Sequence, residues 1–256
     1  LGQNFSRQFD LKFQNEAGEE EYAYNTSWGV STRLVGGLVM SHGDDAGLVL
    51  PPKLAPVQAV IVPIWRSDDD RSAVIEKAHA VSAALTDLGV RTKVDDRDNL
   101  NPGAKYYEWE RKGVPFRVEI GPRDMEQGQL CLVRRLTPEG EKRKAFVPEQ
   151  QALSELPARL DAFQSELLAA ATARREANSH RGADSIEELK EILDQKGGFV
   201  FTGWSGDPEV EERVKDECKA TIRVIPDTEF RSPEAPTKCV GGEGKALHEV
   251  VWARAY

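Results

Sequence analysis

Hydrophobic and polar positions change period several times along the chain. In residues 8–14, Phe9, Leu11 and Phe13 alternate with polar neighbours, which predicts a strand with one buried face. An acidic turn around Gly18 follows, and residues 22–28 read as a second strand, so that 1–28 forms a hairpin. Residues 33–41 read as an apolar helix containing Gly36 and Gly37. Each glycine costs a helix about 1 kcal/mol relative to alanine. The pair therefore predicts a helix pressed closely against a sheet. HGDDAGLVLPP at 42–52 reads as a turn, a short strand and a proline stop.

A new unit opens with the apolar run LAPVQAVIVPI at 54–64, a buried strand. Asp68, Asp69 and Asp70 start a helix to about residue 88, with Val74, Ala78, Val81 and Leu85 on one face and Gly89 as its cap. Strands are predicted at 90–94, 114–120 and 129–135, and helices at 104–112 and 153–177. This alternation indicates a mixed sheet covered by helices. Residues 178–182 read as a linker. Beyond it come helices at 185–196 and 208–218, strands at 198–203, 221–226 and 248–255, and an extended Pro/Gly-rich loop at 227–244.

Composition narrows the class. The 256 residues are 39% hydrophobic and 30% charged, a soluble globular balance with room for about two cores. No apolar run approaches the roughly 20 residues of a membrane span, and no leader peptide is recognised, so a cytoplasmic protein with no membrane partner is expected. Three distant cysteines, Cys131, Cys218 and Cys239, argue against a disulfide framework and for a reducing compartment. The net charge of −9 disfavours nucleic-acid binding by the chain as a whole. Residues 101–145, however, carry ten basic against seven acidic side chains, so a local RNA contact fits there.

Two segments carry chemistry. TSWGVSTR at 26–33 reads as strand, turn and helix, with Arg33 at the helix start. A guanidinium there is suited to phosphate, because its planar fork pairs two oxygens and stays protonated. KYYEWERKGVPFRVEIGPRD at 105–124 interleaves aromatic and basic residues, a composition suited to unstacked RNA bases. Within it Tyr106 and Glu110 share a helix face, Arg117 follows on a strand, and Arg123 and Asp124 follow a Gly-Pro turn. A carboxylate accepts from the Watson–Crick edge of guanine, and an arginine donates to its O6 and N7. His42, Asp44 and Asp45 in SHGDD read as a turn rather than a metal site, since metal ligands must converge.

LGQNFSRQFDLKFQ (1–14), the stretch from TSWGVSTRLVGG to QAVIVPI (26–64), DDRDNLNPGAKYYEWERKGVPFRVEIGPRDM (95–125) and VVWARAY (250–256) resemble, in that order, class II aminoacyl-tRNA synthetases, specifically prolyl-tRNA synthetases of the archaeal and eukaryotic type. The resemblance covers essentially the whole chain. It implies three parts: the end of a class II antiparallel-sheet catalytic domain with its third signature motif (1–56), a mixed five-stranded α/β anticodon-binding domain (57–178), and a small α+β C-terminal domain of the zinc type (179–256). It identifies the chain as the C-terminal portion of a longer protein, inactive in aminoacylation by itself because the first two motifs lie upstream.

The resemblance assigns Ser31 and Arg33 to ATP, Trp28 and Gly29 to the proline pocket, and Tyr106, Glu110, Arg117, Arg123 and Asp124 to the two guanines shared by proline anticodons. Tyr256, at the end of Arg254-Ala255-Tyr256, would face the active site. ATP and magnesium are implied as substrate and cofactor, with proline, proline tRNA and a second subunit as partners. The four zinc-binding cysteines of the family fall on Ser205, Val210, Cys239 and Gly242; Cys218 and His248 stand elsewhere in the pattern, so no zinc is expected. The rival reading is a non-catalytic tRNA-binding or regulatory module.

Overall fold

The computed structural model describes every residue except 66, 138, 139, 243 and 256. It separates into two compact units, residues 1–161 and 162–256.

The first unit begins with short elements: α1 (Asn4–Gln8), then β1 (Lys12–Gln14) antiparallel to β2 (Glu20–Tyr22), and α2 (Arg33–His42). The hairpin is thus shorter than the alternation predicts, and residues 4–8 are helical. Phe9, Leu11 and Phe13 are 70%, 49% and 48% exposed, so no described residue covers the apolar face that the pattern implies. Helix α2 has the predicted extent, yet Leu34, Val35 and Met40 are exposed and a Cβ at Gly36 or Gly37 would meet nothing within 4 Å. The close packing expected of these glycines is therefore not made by described residues. The short strand expected near residue 48 is an isolated bridge, Asp44 to Gly47, continued by Leu48 N–H to Arg111 O and Leu50 N–H to Gly113 O.

The core of this unit is a five-stranded sheet in the order β4-β3-β5-β6-β7. Its strands are β3 (Ala59–Pro63), β4 (Thr92–Val94), β5 (Phe116–Ile120), β6 (Gln129–Arg134) and β7 (Lys144–Pro148). The first three run parallel and the last two join antiparallel, the mixed sheet that the resemblance implies. β3 and β5 are buried at every position, as parallel strands between helical layers must be. Helix α3 (Asp68–Asp87) buries Val74, Ala78, Val81 and Leu85, the face read from its spacing, and Ser67 caps it by accepting from Asp70 N–H. Helix α4 (Pro102–Arg111), capped by Asn101, packs Tyr106 and Trp109 on Val60 and Val62. The short α5 (Pro122–Glu126) and strand β7 were not foreseen. β7 hides because its segment opens with Lys144 and buries only Val147 fully.

Helix α6 (Glu149–Ala177) contains the boundary between the units. In the second unit β8 (Ser179–Arg181) occupies the expected linker and joins β9 (Phe199–Trp204), β10 (Ala220–Val224) and β11 (His248–Arg254) in a sheet ordered β10-β11-β9-β8. Helices α7 (Ile186–Gln195) and α8 (Pro208–Cys218) contribute Leu189, Leu193, Val210, Val214 and Cys218 to a core with Val200, Val250 and Trp252. The Trp252 indole donates to Thr202 Oγ1 at 2.9 Å, so the deepest ring leaves no polar atom unpaired.

Candidate nucleic-acid interface

Register builds the surface. β5 and β6 pair Arg117 with Val133 and Glu119 with Cys131; β6 and β7 pair Val133 with Lys144 and Cys131 with Phe146. Directly opposed residues share a face, so Arg117, Glu119, Lys144 and Phe146 lie on one side of the sheet, the side on which α4 sets Tyr106. The Arg117 guanidinium stacks over the Tyr106 ring at 4.0 Å from its centroid. Its Nε and terminal nitrogen both donate to Glu119 Oε1, at 3.0 and 2.9 Å. Lys144 Nζ donates to Glu119 Oε2 at 2.6 Å. Glu119 thus counterbalances two cations from inside the sheet, and the trio keeps a net charge of +1.

This packing shifts the neighbouring groups. Burial, and then the Glu119 carboxylate, push the Tyr106 phenol well above its usual value. The same two causes push the Cys131 thiol up to about 11. Tyr106 is therefore a neutral ring gripped from one side by a cation, a fixed platform rather than a titrating group. Phe146, 60% exposed farther along the face, adds a second aromatic surface for a base.

Glu110 sits one turn beyond Tyr106 and forms an ion pair with Arg143 through Oε1. Arg123 is exposed on α5. Asp124 accepts from Gly121 N–H at 3.0 Å through Oδ2 and from Gln129 Nε2 at 3.3 Å through Oδ1. It therefore caps α5 as well as standing beside Arg123. The structure brings Tyr106, Glu110 and Arg117 to one sheet face and puts Arg123 and Asp124 at the C-terminal end of β5. The sequence reading missed Glu119, Lys144, Phe146 and Arg143. Only the β5–β6–β7 register unites these, and β7 had not been recognised.

Asp44 is held by Arg135, whose two terminal nitrogens reach its oxygens at 2.8 and 2.5 Å. That arginine lowers the Asp44 pKa and, through Nε, also bonds Leu48 O and Glu110 O. Ser41 and His42 end α2, and only the Gly43–Asp45 part of SHGDD turns, tied to the sheet through Asp44.

In the motif at 26–33, Arg33 opens α2 with its backbone N–H donating to Ser31 Oγ at 3.3 Å. Arg33, Ser31 and Gly29 are exposed and Trp28 is 96% exposed, so the motif presents its side chains outward. Tyr256 lies outside the described residues. At the four positions matching zinc ligands, Cys239 Sγ lies 3.4 Å from Ser205 Oγ, Val210 is part of the hydrophobic core, and Gly242 has no side chain. A Cβ at Gly241 would stand 2.7 Å from a Val210 methyl, so hydrocarbon fills this part of the loop. Cys218 points to Ile186 O and His248 lies beside Trp204.

Residues 58–160 match the family model for the anticodon binding domain, and residues 186–256 match the model described as prolyl-tRNA synthetase, C-terminal. The whole chain is 45% identical to a proline–tRNA ligase of Roseiflexus castenholzii and 46% identical to one of Rubrobacter xylanophilus. It covers 52% and 51% of those proteins, so the chain spans about half the length of the curated relatives it matches. It is also similar to the crystal structure of prolyl-tRNA synthetase from Cryptosporidium parvum complexed with L-proline and AMP, with a TM-score of 0.84, 36% identity, all of this chain covered and 53% of that one. Domain models, relatives matched over the full chain and the observed fold agree: along its whole length the chain is similar to the C-terminal portion of prolyl-tRNA synthetases.

Proposed function

We propose that the chain serves a proline–tRNA ligase, which joins proline to its tRNA at the expense of ATP, and that its own share of the work is anticodon recognition and part of the ATP and proline site. The observation that carries this reading is the Tyr106–Arg117–Glu119–Lys144 assembly: an aromatic platform held by the buried Arg117–Glu119 pair, with the exposed Lys144 on the same carboxylate, on the domain matched to anticodon binding. One guanine of the anticodon would stack on this face. Glu110 would accept from its N1 and N2 once Arg143 yields or shares the carboxylate, and Arg123 would donate to a second guanine while Asp124 fixes the turn that holds it.

In the same reading residues 1–56 end the catalytic domain, 57–178 bind the anticodon, and 179–256 form the C-terminal domain. Arg33 pairs with ATP phosphate, Ser31 lies beside the adenosine, Trp28 and Gly29 border the proline pocket, and Tyr256 approaches that site. Activation requires the proline carboxylate to attack the α-phosphate, so a fixed guanidinium stabilises charge as it builds. The donors described in this chain do not suit magnesium, which would ride on the ATP phosphates. Valine, glycine, serine and one cysteine do not suit a structural zinc, so the C-terminal domain is held by its core alone. A cytoplasmic homodimer is part of the proposal.

The test is the affinity of Glu110→Ala for proline tRNA and for the same tRNA with its anticodon guanines replaced. Loss of a base-specific contact should weaken the cognate tRNA by roughly 1–3 kcal/mol, leave the mutated tRNA unaffected and leave the salt dependence unchanged. Tighter binding, or equal loss on both RNAs, would remove Glu110 from base reading. It would favour a surface that recognises RNA by shape and charge.

A further inference from the structure

The parallel strands β3, β4 and β5 share an end at which the chain departs in different directions. It leaves β3 toward Trp65, β4 through residues 95–101 and β5 through Gly121. α3 and α4 then cover opposite faces. In open α/β sheets, ligands collect outside this end, where the connections diverge. Here the crevice is a cavity of about 280 Å³ lined by Pro63, Trp65, Asp98, Asn99, Asn101 and Lys105.

Lys105 is the unusual member. It is 2% exposed, and among the described residues its one hydrogen bond goes to Asp95 O at 3.0 Å, although an ammonium carries three donors. Its Nζ lies 5.2 Å from the centroid of the Trp65 ring. Burial lowers its pKa, and Arg97 adds to this, against the opposing pull of Asp95, Asp96 and Asp98. Asp98 is paired with Arg71 at 3.1 Å, and the Asn101 oxygen is taken by Ala104 N–H, which leaves its amide NH2 as a donor. The cavity therefore offers an indole, an ammonium, amide donors and a carboxylate acceptor. That set complements a flat heterocycle with both donors and acceptors on its edge. A bare phosphate fits poorly, because the Asp98 carboxylate lines the cavity and the neighbouring Arg71, which lies over the Trp65 ring at 5.5 Å, is already paired with it.

Position selects the source of the heterocycle. A Cβ placed on Gly121 would lie 3.6 Å from Ile64 O, and Gly121 N–H is held by Asp124. The turn carrying Arg123 and Asp124 thus adjoins the segment that carries Trp65. We propose that this cavity receives one unstacked base of the anticodon loop, the one flanking the two shared guanines, stacked against Trp65 with its edge toward Lys105. The proposal rests on the tRNA-reading surface inferred above.

The experiment uses the 256-residue chain and an anticodon stem-loop of proline tRNA carrying 2-aminopurine on one or the other side of the guanine pair. At one of the two positions, binding should change the fluorescence by stacking on the indole. Trp65→Leu should abolish that change and weaken affinity about ten-fold, within the range for one stacked base. Lys105→Met should weaken affinity similarly while guanine discrimination persists. Thermal melting establishes that each variant is folded, and if Lys105→Met is not, the Trp65→Leu result stands by itself. Anticodon-dependent binding with unchanged fluorescence at both positions, or a Trp65→Leu affinity within twofold of wild type, would overturn the cavity proposal alone. Absence of anticodon-dependent binding to the wild-type chain would overturn both this proposal and the reading beneath it.

Discussion

Asp95 shows how a single buried charge is made tolerable. It is 2% exposed, and its carboxylate accepts two bonds from Arg97 and one from the Trp109 indole, all at 2.7 Å. Burial pushes its pKa up, but Arg97 and Trp109 more than offset this and hold it at about 2 against an ordinary 3.8. A folded-state value below the unfolded one means that the stabilisation is complete above the unfolded pKa and is lost as pH falls through the folded one. The gap corresponds to roughly 2 kcal/mol. Asp95→Asn should therefore lower the urea midpoint clearly at pH 7. The difference from wild type should shrink between about pH 4 and pH 2, where wild type surrenders the same contribution. An equal difference at pH 7 and pH 2.5 would show that the ion pair is not its source. Residue chemistry of this kind was only half legible. Spacing put Tyr106 and Glu110 on one helix face with Arg117 on the strand that follows, and the resemblance implied their roles, whereas Glu119 reads as a solvated strand residue until register places Arg117 and Lys144 on its two oxygens.

Elements were read best where one helix face meets a sheet. The apolar spacing of α3 maps onto its buried side without error because that side is covered within this chain. The alternation at 8–14 misleads because nothing described here covers Phe9, Leu11 or Phe13. Close approach between elements is also invisible in a pattern of side chains, since its marker is a glycine whose role depends on what lies opposite. Gly113 has φ +75°, and a Cβ there would stand 2.7 Å from the backbone of Leu48, in the segment that docks on the end of α4. Gly89, the cap of α3, has φ +81° with open space around it. Alanine at Gly89 should cost about 1–2 kcal/mol from the left-handed conformation alone. At Gly113 it should cost clearly more, because Leu48 must move as well. Thermal midpoints of the two variants decide the matter: equal shifts would mean that the approach of residue 48 contributes nothing.

For the whole molecule, net charge misleads and local charge informs. A chain at −9 carries its basic excess on the sheet face and around α4, where Arg117 and Lys144 share one buried carboxylate. The motif at 26–33 belongs to different chemistry on a different element, and its exposed Trp28 and Arg33 suit a site completed by residues that this chain does not supply. In a protein with the full length of its relatives, Arg33→Ala should accordingly cripple proline-dependent ATP–pyrophosphate exchange. Removing one donor from a transition-state charge typically costs on the order of 3 kcal/mol, or about 100-fold in rate. Affinity for proline tRNA should stay within about twofold, since none of the groups assigned to the anticodon is α2's to hold. A non-catalytic tRNA-binding module makes the opposite forecast, with no exchange to lose and Arg33 free to vary. Exchange kinetics and tRNA binding measured on the same preparation separate the two: exchange within twofold of wild type in Arg33→Ala would take this arginine out of the ATP site, and a parallel loss of tRNA affinity would join surfaces that the fold keeps on separate elements.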